Sequence, residues 1–94
     1  IFAPIVGHVG DGNFHTLPIA LTDDVDAWKR IQSFVERLSE RAIAMDGTCT
    51  GEHGIGQGKI KYLRQEMGPA VDMMIAVKQA LDPNDILNPG KLFN

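Results

Sequence analysis

The sequence predicts an α+β fold in which one antiparallel β-hairpin packs on several helices. Three observations predict this class. A glycine-rich turn at residues 7–15 has apolar residues on both sides, residues 24–45 show the apolar spacing of a helix, and Gly-Pro and Asp-Pro pairs delimit shorter helical segments after residue 58. The length of 94 residues allows one domain at most.

Residues 2–10 and 13–21 are predicted to form the arms of the hairpin, with Asp11 and Gly12 at its tip. In this register His8 lies opposite His15, and their Cβ atoms are expected about 4.5–5.5 Å apart on one face. Two imidazoles that converge in this way suit two ligands of one divalent metal. A polar turn with two exposed histidines is the alternative, and the residues alone leave both interpretations open.

A long amphipathic helix is predicted over residues 24–45, because its apolar side chains recur at steps of three and four residues while charged side chains take the other face. The run Thr22-Asp23-Asp24 is predicted to cap its N-terminus, and Asp46-Gly47 to end it. A second helix is predicted from about residue 59 to 67, and a third ends at residues 82–85.

The glycine-rich segment 48–58 is predicted to form a short strand followed by a loop. Glu52 and His53 are flanked by glycines, so a bend here can direct both side chains to one site. Glu52 is then a candidate carboxylate ligand beside the two histidines, and His53 a candidate general base. Alternatively, Glu52 is solvated and His53 is packed or surface-exposed.

Three further positions have a structural and a functional interpretation. Gly54, Gly56 and Gly58 followed by Lys59 form either an anion-binding nest or a flexible connection. Cys49 is better explained as a small buried residue than as a nucleophile. Asn13 is expected to shape the turn through its own backbone bonds, and it could also donate to a substrate or cofactor.

Composition excludes some classes of function. A formal net charge of -3 provides no basic stripe for nucleic acid or an anionic membrane surface, and no apolar run approaches the ~20 residues of a membrane span. The single Cys49 cannot form an internal disulfide, which fits a reducing compartment. The chain starts inside an apolar run without Met, so we expect it to be a piece of something larger.

Three motifs, at Gly7–His15 (GHVGDGNFH), Gly47–Gly56 (GTCTGEHGIG) and Leu81–Lys91 (LDP-x4-NPGK), resemble the C-terminal part of the FAD-linked 2-hydroxyacid dehydrogenases. That family includes the D-lactate dehydrogenase (cytochrome) type, the FAD subunit of glycolate oxidase and D-2-hydroxyglutarate dehydrogenase. The resemblance covers essentially the whole chain and is strongest to the D-lactate type. It implies that residues 1–94 are a fragment of a ferredoxin-like cap domain, which carries substrate and metal groups, and that the FAD-binding domain is absent from this chain.

The resemblance also implies roles for individual residues. His8, His15 and Glu52 would hold zinc or manganese, and His53 would take the hydroxyl proton of the substrate while hydride leaves for flavin. Asn88 and Lys91 would lie toward the flavin domain, where FAD is mainly bound.

The implied function is oxidation of a D-2-hydroxy acid to the 2-oxo acid, with a cytochrome or quinone as electron acceptor. The apolar Leu17 favours a short substrate, D-lactate or glycolate. The isolated chain is expected to be inactive and to form a homo-oligomer. Its location would be cytoplasmic or peripheral to the membrane in a bacterium, and mitochondrial in a eukaryote. The alternative is a stand-alone, non-catalytic module for metal binding or dimerisation.

Overall fold

Three helices and one two-stranded antiparallel sheet make up the regular structure of residues 1–93, which are the residues described by the computed structural model. In chain order the elements are β1 (Ile5–Val6), β2 (His15–Thr16), α1 (Val25–Ala44), α2 (Ile60–Met67) and α3 (Ala70–Leu81). These elements confirm the α+β class. The chain divides into two compact units, Ile1–Gly47 and Thr48–Asn94. Among the helices of the described part, none is long and apolar enough to cross a bilayer.

The hairpin forms where the sequence predicts it, but its register differs. The ladder consists of the pairs Ile5–Thr16 and Val6–His15, with an isolated bridge between Phe2 and Ile19. His15 therefore lies opposite Val6, and the prediction that it lies opposite His8 is wrong. The predicted arms 2–10 and 13–21 are also too long, because the paired strands stop well short of the tip.

The loop chemistry explains the change of register. Residues Val9–Asp11 form a 3₁₀ turn, so they leave the extended conformation that the predicted arm requires. The carbonyl of His8 accepts hydrogen bonds from the N–H groups of Asp11 (2.9 Å) and Asn13 (3.2 Å). His8 thus closes the loop and faces Asn13 across it.

Gly7 permits the two arms to approach closely. Its φ of 146° is one that side-chain-bearing residues rarely adopt. A Cβ at this position would lie 2.7 Å from the carbonyl oxygen of Asn13 and 2.7 Å from the Cα of Phe14. Both contacts are with backbone atoms, so the neighbouring arm itself would have to move. A glycine is required here by sterics as well as by φ.

Helix α1 confirms the predicted segment 24–45 and its cap. The Asp24 carboxylate accepts a hydrogen bond from the N–H of Ala27 at 3.0 Å, which satisfies one of the free donors of the first turn. The indole N–H of Trp28 donates to the carbonyl of Leu21 at 2.8 Å, so the start of the helix is tied to the chain that leaves the hairpin. At the other end the N–H of Gly47 donates to the carbonyl of Ala42 at 2.8 Å.

In the second unit, α2 and α3 pack against each other through buried side chains. Tyr62, Leu63 and Val71 are the buried apolar residues of these two helices. Gly68, with φ of 58°, ends α2 as the Gly-Pro break predicts. The short strand predicted within residues 48–58 is wrong, since this part of the described chain forms only bends and turns.

Asp82 organises the chain after α3. Its buried carboxylate accepts hydrogen bonds from the N–H groups of Ile86 (3.0 Å) and Leu87 (2.9 Å) and from the ammonium of Lys78. Lys78 also donates to the carbonyl of Leu87 at 2.6 Å and pairs with Asp85 at 3.3 Å. The Lys78 bond, followed by the two backbone bonds, lowers the pKa of Asp82 to about 2. The bond to Asp82 raises the pKa of Lys78 above its ordinary value.

Large apolar side chains remain exposed in both units. Phe2 and Leu21 in the first unit are 70% and 74% exposed, and Ile86 in the second is 74% exposed. Apolar surface on this scale is typical of a chain that is covered by further protein.

We expect Gly7→Ala to destabilise the protein by about 1–3 kcal/mol, because alanine at this φ is strained and its Cβ meets the opposite arm. Gly10→Ala is the matched control, since a Cβ at Gly10 meets nothing within 4 Å. The measurement is the free energy of unfolding in urea. Equal stability of the two variants would contradict the close approach at Gly7.

We expect the Asp82 network to stabilise the protein at neutral pH and to fail in acid. Because the folded pKa of Asp82 is about 2 and a free aspartate titrates near 3.9, the contribution is complete above about pH 5 and lost as pH falls toward 2. Asp82→Asn should therefore lower the melting temperature at pH 7 and lower it progressively less between about pH 5 and pH 2. The exposed Asp46→Asn is the control, and a pH-independent difference for Asp82→Asn would contradict the assignment.

Candidate functional site

Glu52 and His53 converge at the bend of the glycine-rich segment. The Nε2 atom of His53 lies 3.8 Å from a carboxylate oxygen of Glu52, and their side chains are 77% and 48% exposed, respectively. Gly54 and Gly56 have φ of 78° and 54°, so the backbone turns in the left-handed region immediately after the pair. An imidazole and a carboxylate that are both accessible and close together can act on one ion or one substrate group.

The segment that carries this pair is held at its start by the side chain of Glu66 in α2 and by that of Lys59, the N-cap residue of α2. The N–H of Cys49 donates to the Glu66 carboxylate at 2.7 Å, and the ammonium of Lys59 donates to the carbonyl of Cys49. Both polar groups of one backbone residue are therefore satisfied by charged side chains. No sequence pattern points to Glu66, and Lys59 is predicted only as part of an anion nest, which stays a prediction.

Cys49 itself is buried, with only 6% of its surface exposed, as expected for a small packing residue. Burial raises the pKa of its thiol, and the nearby Glu66 carboxylate raises it further. The nucleophilic thiolate is therefore disfavoured. This chemistry supports a structural role for Cys49 and agrees with the sequence analysis.

Residues 88–92 form a turn, called the closing turn below, that packs against the same glycine-rich segment. The N–H of Leu92 donates to the carbonyl of Gly56 at 2.7 Å, and the N–H of Lys91 donates to the carbonyl of Asn88 at 3.3 Å. Asn88 has φ of 47°, a value that asparagine tolerates better than most residues. Lys91 and Asn88 are both exposed. The structure thus brings two predicted cofactor-binding residues to the turn beside the segment of Glu52 and His53.

The remaining predicted site residues lie in the first unit. His8 is exposed at the start of the 3₁₀ turn, and His15 is half-buried on β2. Since they are not opposite each other in the ladder, the register argument for a shared metal no longer holds, and their assignment as ligands stays a prediction. The amide oxygen of Asn13 is buried and accepts no hydrogen bond among residues 1–93.

Comparisons with known proteins give one family. The model for "FAD linked oxidases, C-terminal domain" matches residues 3–92. A zebrafish protein (Danio rerio) named "Probable D-lactate dehydrogenase, mitochondrial" is 57% identical over 94 residues, which are 99% of this chain and 19% of the relative.

Two further relatives come from yeast and a bacterium. The protein from Saccharomyces cerevisiae named "D-lactate dehydrogenase [cytochrome] 1, mitochondrial" is 48% identical over 95% of this chain and 15% of its own length. "Glycolate oxidase subunit GlcD" of Bacillus subtilis is 44% identical over 93% of this chain and 19% of its own. The chain therefore spans less than a fifth of the length of these relatives. No solved structure matches it.

Proposed function

Since this chain belongs to the family described as "FAD linked oxidases, C-terminal domain", we propose that residues 1–94 are a fragment of the C-terminal cap domain of a longer FAD-dependent oxidoreductase. The proposed reaction is oxidation of a D-2-hydroxy acid, D-lactate or glycolate, to the 2-oxo acid. The observation that carries the proposal is the family match over residues 3–92, together with relatives named for D-lactate and glycolate oxidation. The apolar Leu17 beside the predicted ligand His15 supports a short substrate.

A divalent metal, zinc or manganese, fits the donor set that we assign to it. His8 and His15 offer imidazole nitrogens and Glu52 offers a carboxylate, a combination that leaves coordination positions for a substrate. The exposure of Glu52 supports this role, because its oxygens are accessible to an ion. When bound, the metal would supply a positive charge that lowers the pKa of the substrate hydroxyl.

FAD fits the residues that this chain contributes to its binding. Lys91 offers an exposed ammonium and Asn88 an exposed amide in the closing turn, and the side-chain amide of Asn13 could donate to the cofactor or substrate. When bound, FAD would supply the acceptor for the hydride that leaves C2 of the substrate. Most of its binding surface would belong to the part of the enzyme that precedes this chain.

His53 is the proposed general base. Its imidazole is accessible, and it would take the proton of the substrate hydroxyl on a ring nitrogen. The neighbouring Glu52 carboxylate, 3.8 Å away, would help to hold the imidazolium that forms. Glu52 would therefore act on the substrate hydroxyl through the bound metal, and His53 would act on the same hydroxyl by taking its proton.

The electron acceptor and location follow by analogy with the relatives. The yeast relative is named for cytochrome, so a cytochrome is the proposed acceptor, with a quinone as the alternative. The zebrafish and yeast relatives are named mitochondrial, which we propose for this protein if its source is a eukaryote; a cytoplasmic or membrane-peripheral location is proposed for a bacterium. Homo-oligomerisation stays a prediction, supported by the exposed apolar side chains of the hairpin.

The reading frame upstream of the codon for Ile1 tests the proposal. We expect an FAD-binding domain encoded in the same frame, because the matched relatives are roughly five times as long as this chain. Sequencing of the full transcript provides the result. A stop codon followed by a start codon immediately before Ile1 would instead support a stand-alone metal-binding or dimerisation module.

In the full-length enzyme, His53→Ala should lower turnover of D-lactate or glycolate about 10²-fold or more, because the proton then has no positioned acceptor. Metal content should stay at the wild-type level, whereas Glu52→Gln should reduce it. Steady-state kinetics and elemental analysis provide the measurements. Gln57→Ala, an exposed change in the same segment, is the control. Near-normal turnover of His53→Ala would remove this residue from the proposed role.

A further inference from the structure

We infer that Lys59 and Glu66 are positioning residues, which hold the backbone of Cys49 from both sides and thereby fix the direction in which Glu52 and His53 point. The inference deepens the proposed function and rests on it for the role of His53. The two charged residues and their bonds to Cys49 are called the Cys49 clamp below.

The clamp is built on one face of α2 and its N-terminal cap. Lys59 and Glu66 are seven positions apart, which corresponds to about two helical turns, so their side chains lie on the same side of the helix. The buried Tyr62 and Leu63 occupy the positions between them on this face. Packing of these two side chains fixes the rotation of the helix about its axis, and it thereby keeps both charged groups on the side that binds Cys49.

The charges match the groups that they bind. The carboxylate of Glu66 accepts the N–H of Cys49, and the ammonium of Lys59 donates to its carbonyl. Charge-assisted bonds of this kind are stronger than bonds between neutral groups. Cys49 is buried, and segment 48–58 forms no strand, so its backbone N–H and carbonyl have no partners in a β-ladder. Loss of either side chain would leave a buried polar group unsatisfied, which is costly.

A second anchor holds the far side of the bend. The carbonyl of Gly56 accepts the N–H of Leu92, and the carbonyl of Ile55 accepts the N–H of Lys59. Glu52 and His53 lie between this anchor and the Cys49 clamp. Glycines on both sides of the pair make its backbone flexible. The direction of the two side chains therefore depends on the anchors, and a small displacement of a reacting group costs turnover.

The test compares Glu66→Ala with Glu66→Gln in the full-length protein. Glutamine keeps an acceptor oxygen for the Cys49 N–H, whereas alanine removes it. We expect Glu66→Ala to speed exchange of the Cys49 amide hydrogen about 10-fold and to lower kcat about 10-fold with little change in KM. Glu66→Gln should restore both quantities to within about 3-fold of wild type, and the exposed Gln65→Ala should change neither.

Lys59→Met keeps the packing stem of the side chain and removes the donor, so it serves as the second variant if Glu66→Ala does not fold; the same changes are expected. Wild-type hydrogen exchange at the Cys49 amide in both variants would overturn the clamp. Faster exchange with unchanged kcat would overturn the positioning role. If the wild-type enzyme oxidises no 2-hydroxy acid, the proposed function fails, and hydrogen exchange still decides whether the two residues hold Cys49.

Discussion

The backbone of Cys49 must be satisfied without a neighbouring strand, and much of the second unit depends on how this is achieved. Its N–H and carbonyl are bound by Glu66 and Lys59, which come from the two ends of the α2 segment. The same helix buries Tyr62 and Leu63. Burial of these two apolar side chains positions the charged groups of Lys59 and Glu66, and the charged groups hold the loop that precedes the helix. The packing of the helix and the course of the loop therefore depend on each other.

Asp82 solves a similar problem after α3. Beyond the end of the helix, its carboxylate accepts the backbone N–H groups of Ile86 and Leu87 in place of helix carbonyls. Lys78 neutralises the buried negative charge of this carboxylate. Asp24 does the same for one N–H at the start of α1. In each case a short polar side chain substitutes for regular hydrogen bonding at a point where the chain must turn. Irregular segments of this protein are therefore specified by individual bonds more than by repeated patterns.

This difference explains how much of the molecule is predictable from its sequence. The helices and the place of the hairpin follow from local patterns, and they are where the periodicity, caps and Asp-Gly turn predict them. The register is set by the 3₁₀ turn at Val9–Asp11 and the close approach at Gly7, neither of which the alternation of residues encodes. The strand expected at residues 48–58 does not form. The backbone N–H of Cys49 is bound instead by the side chain of Glu66, which lies 17 positions away on a helix, and no local pattern in the sequence indicates this bond.

The candidate site likewise combines features that are local in sequence with features that are not. The convergence of Glu52 and His53 is a local property of a glycine-flanked bend, and sequence reasoning finds it. The opposition of His8 and His15 required a register two positions different from the one that forms. The packing of the closing turn on Gly56 joins parts of the chain that are far apart in sequence, so no local pattern reveals it.

The spacing of the Cys49 clamp sets a constraint on the length of α2. Each residue of an α-helix turns the chain by about 100°. A single insertion or deletion between Lys59 and Glu66 would therefore rotate one of the two charges away from Cys49, whereas a substitution at an exposed position such as Gln65 leaves both in place. At the exposed positions of this stretch a change of residue identity is consequently tolerated far more readily than a change in the number of residues.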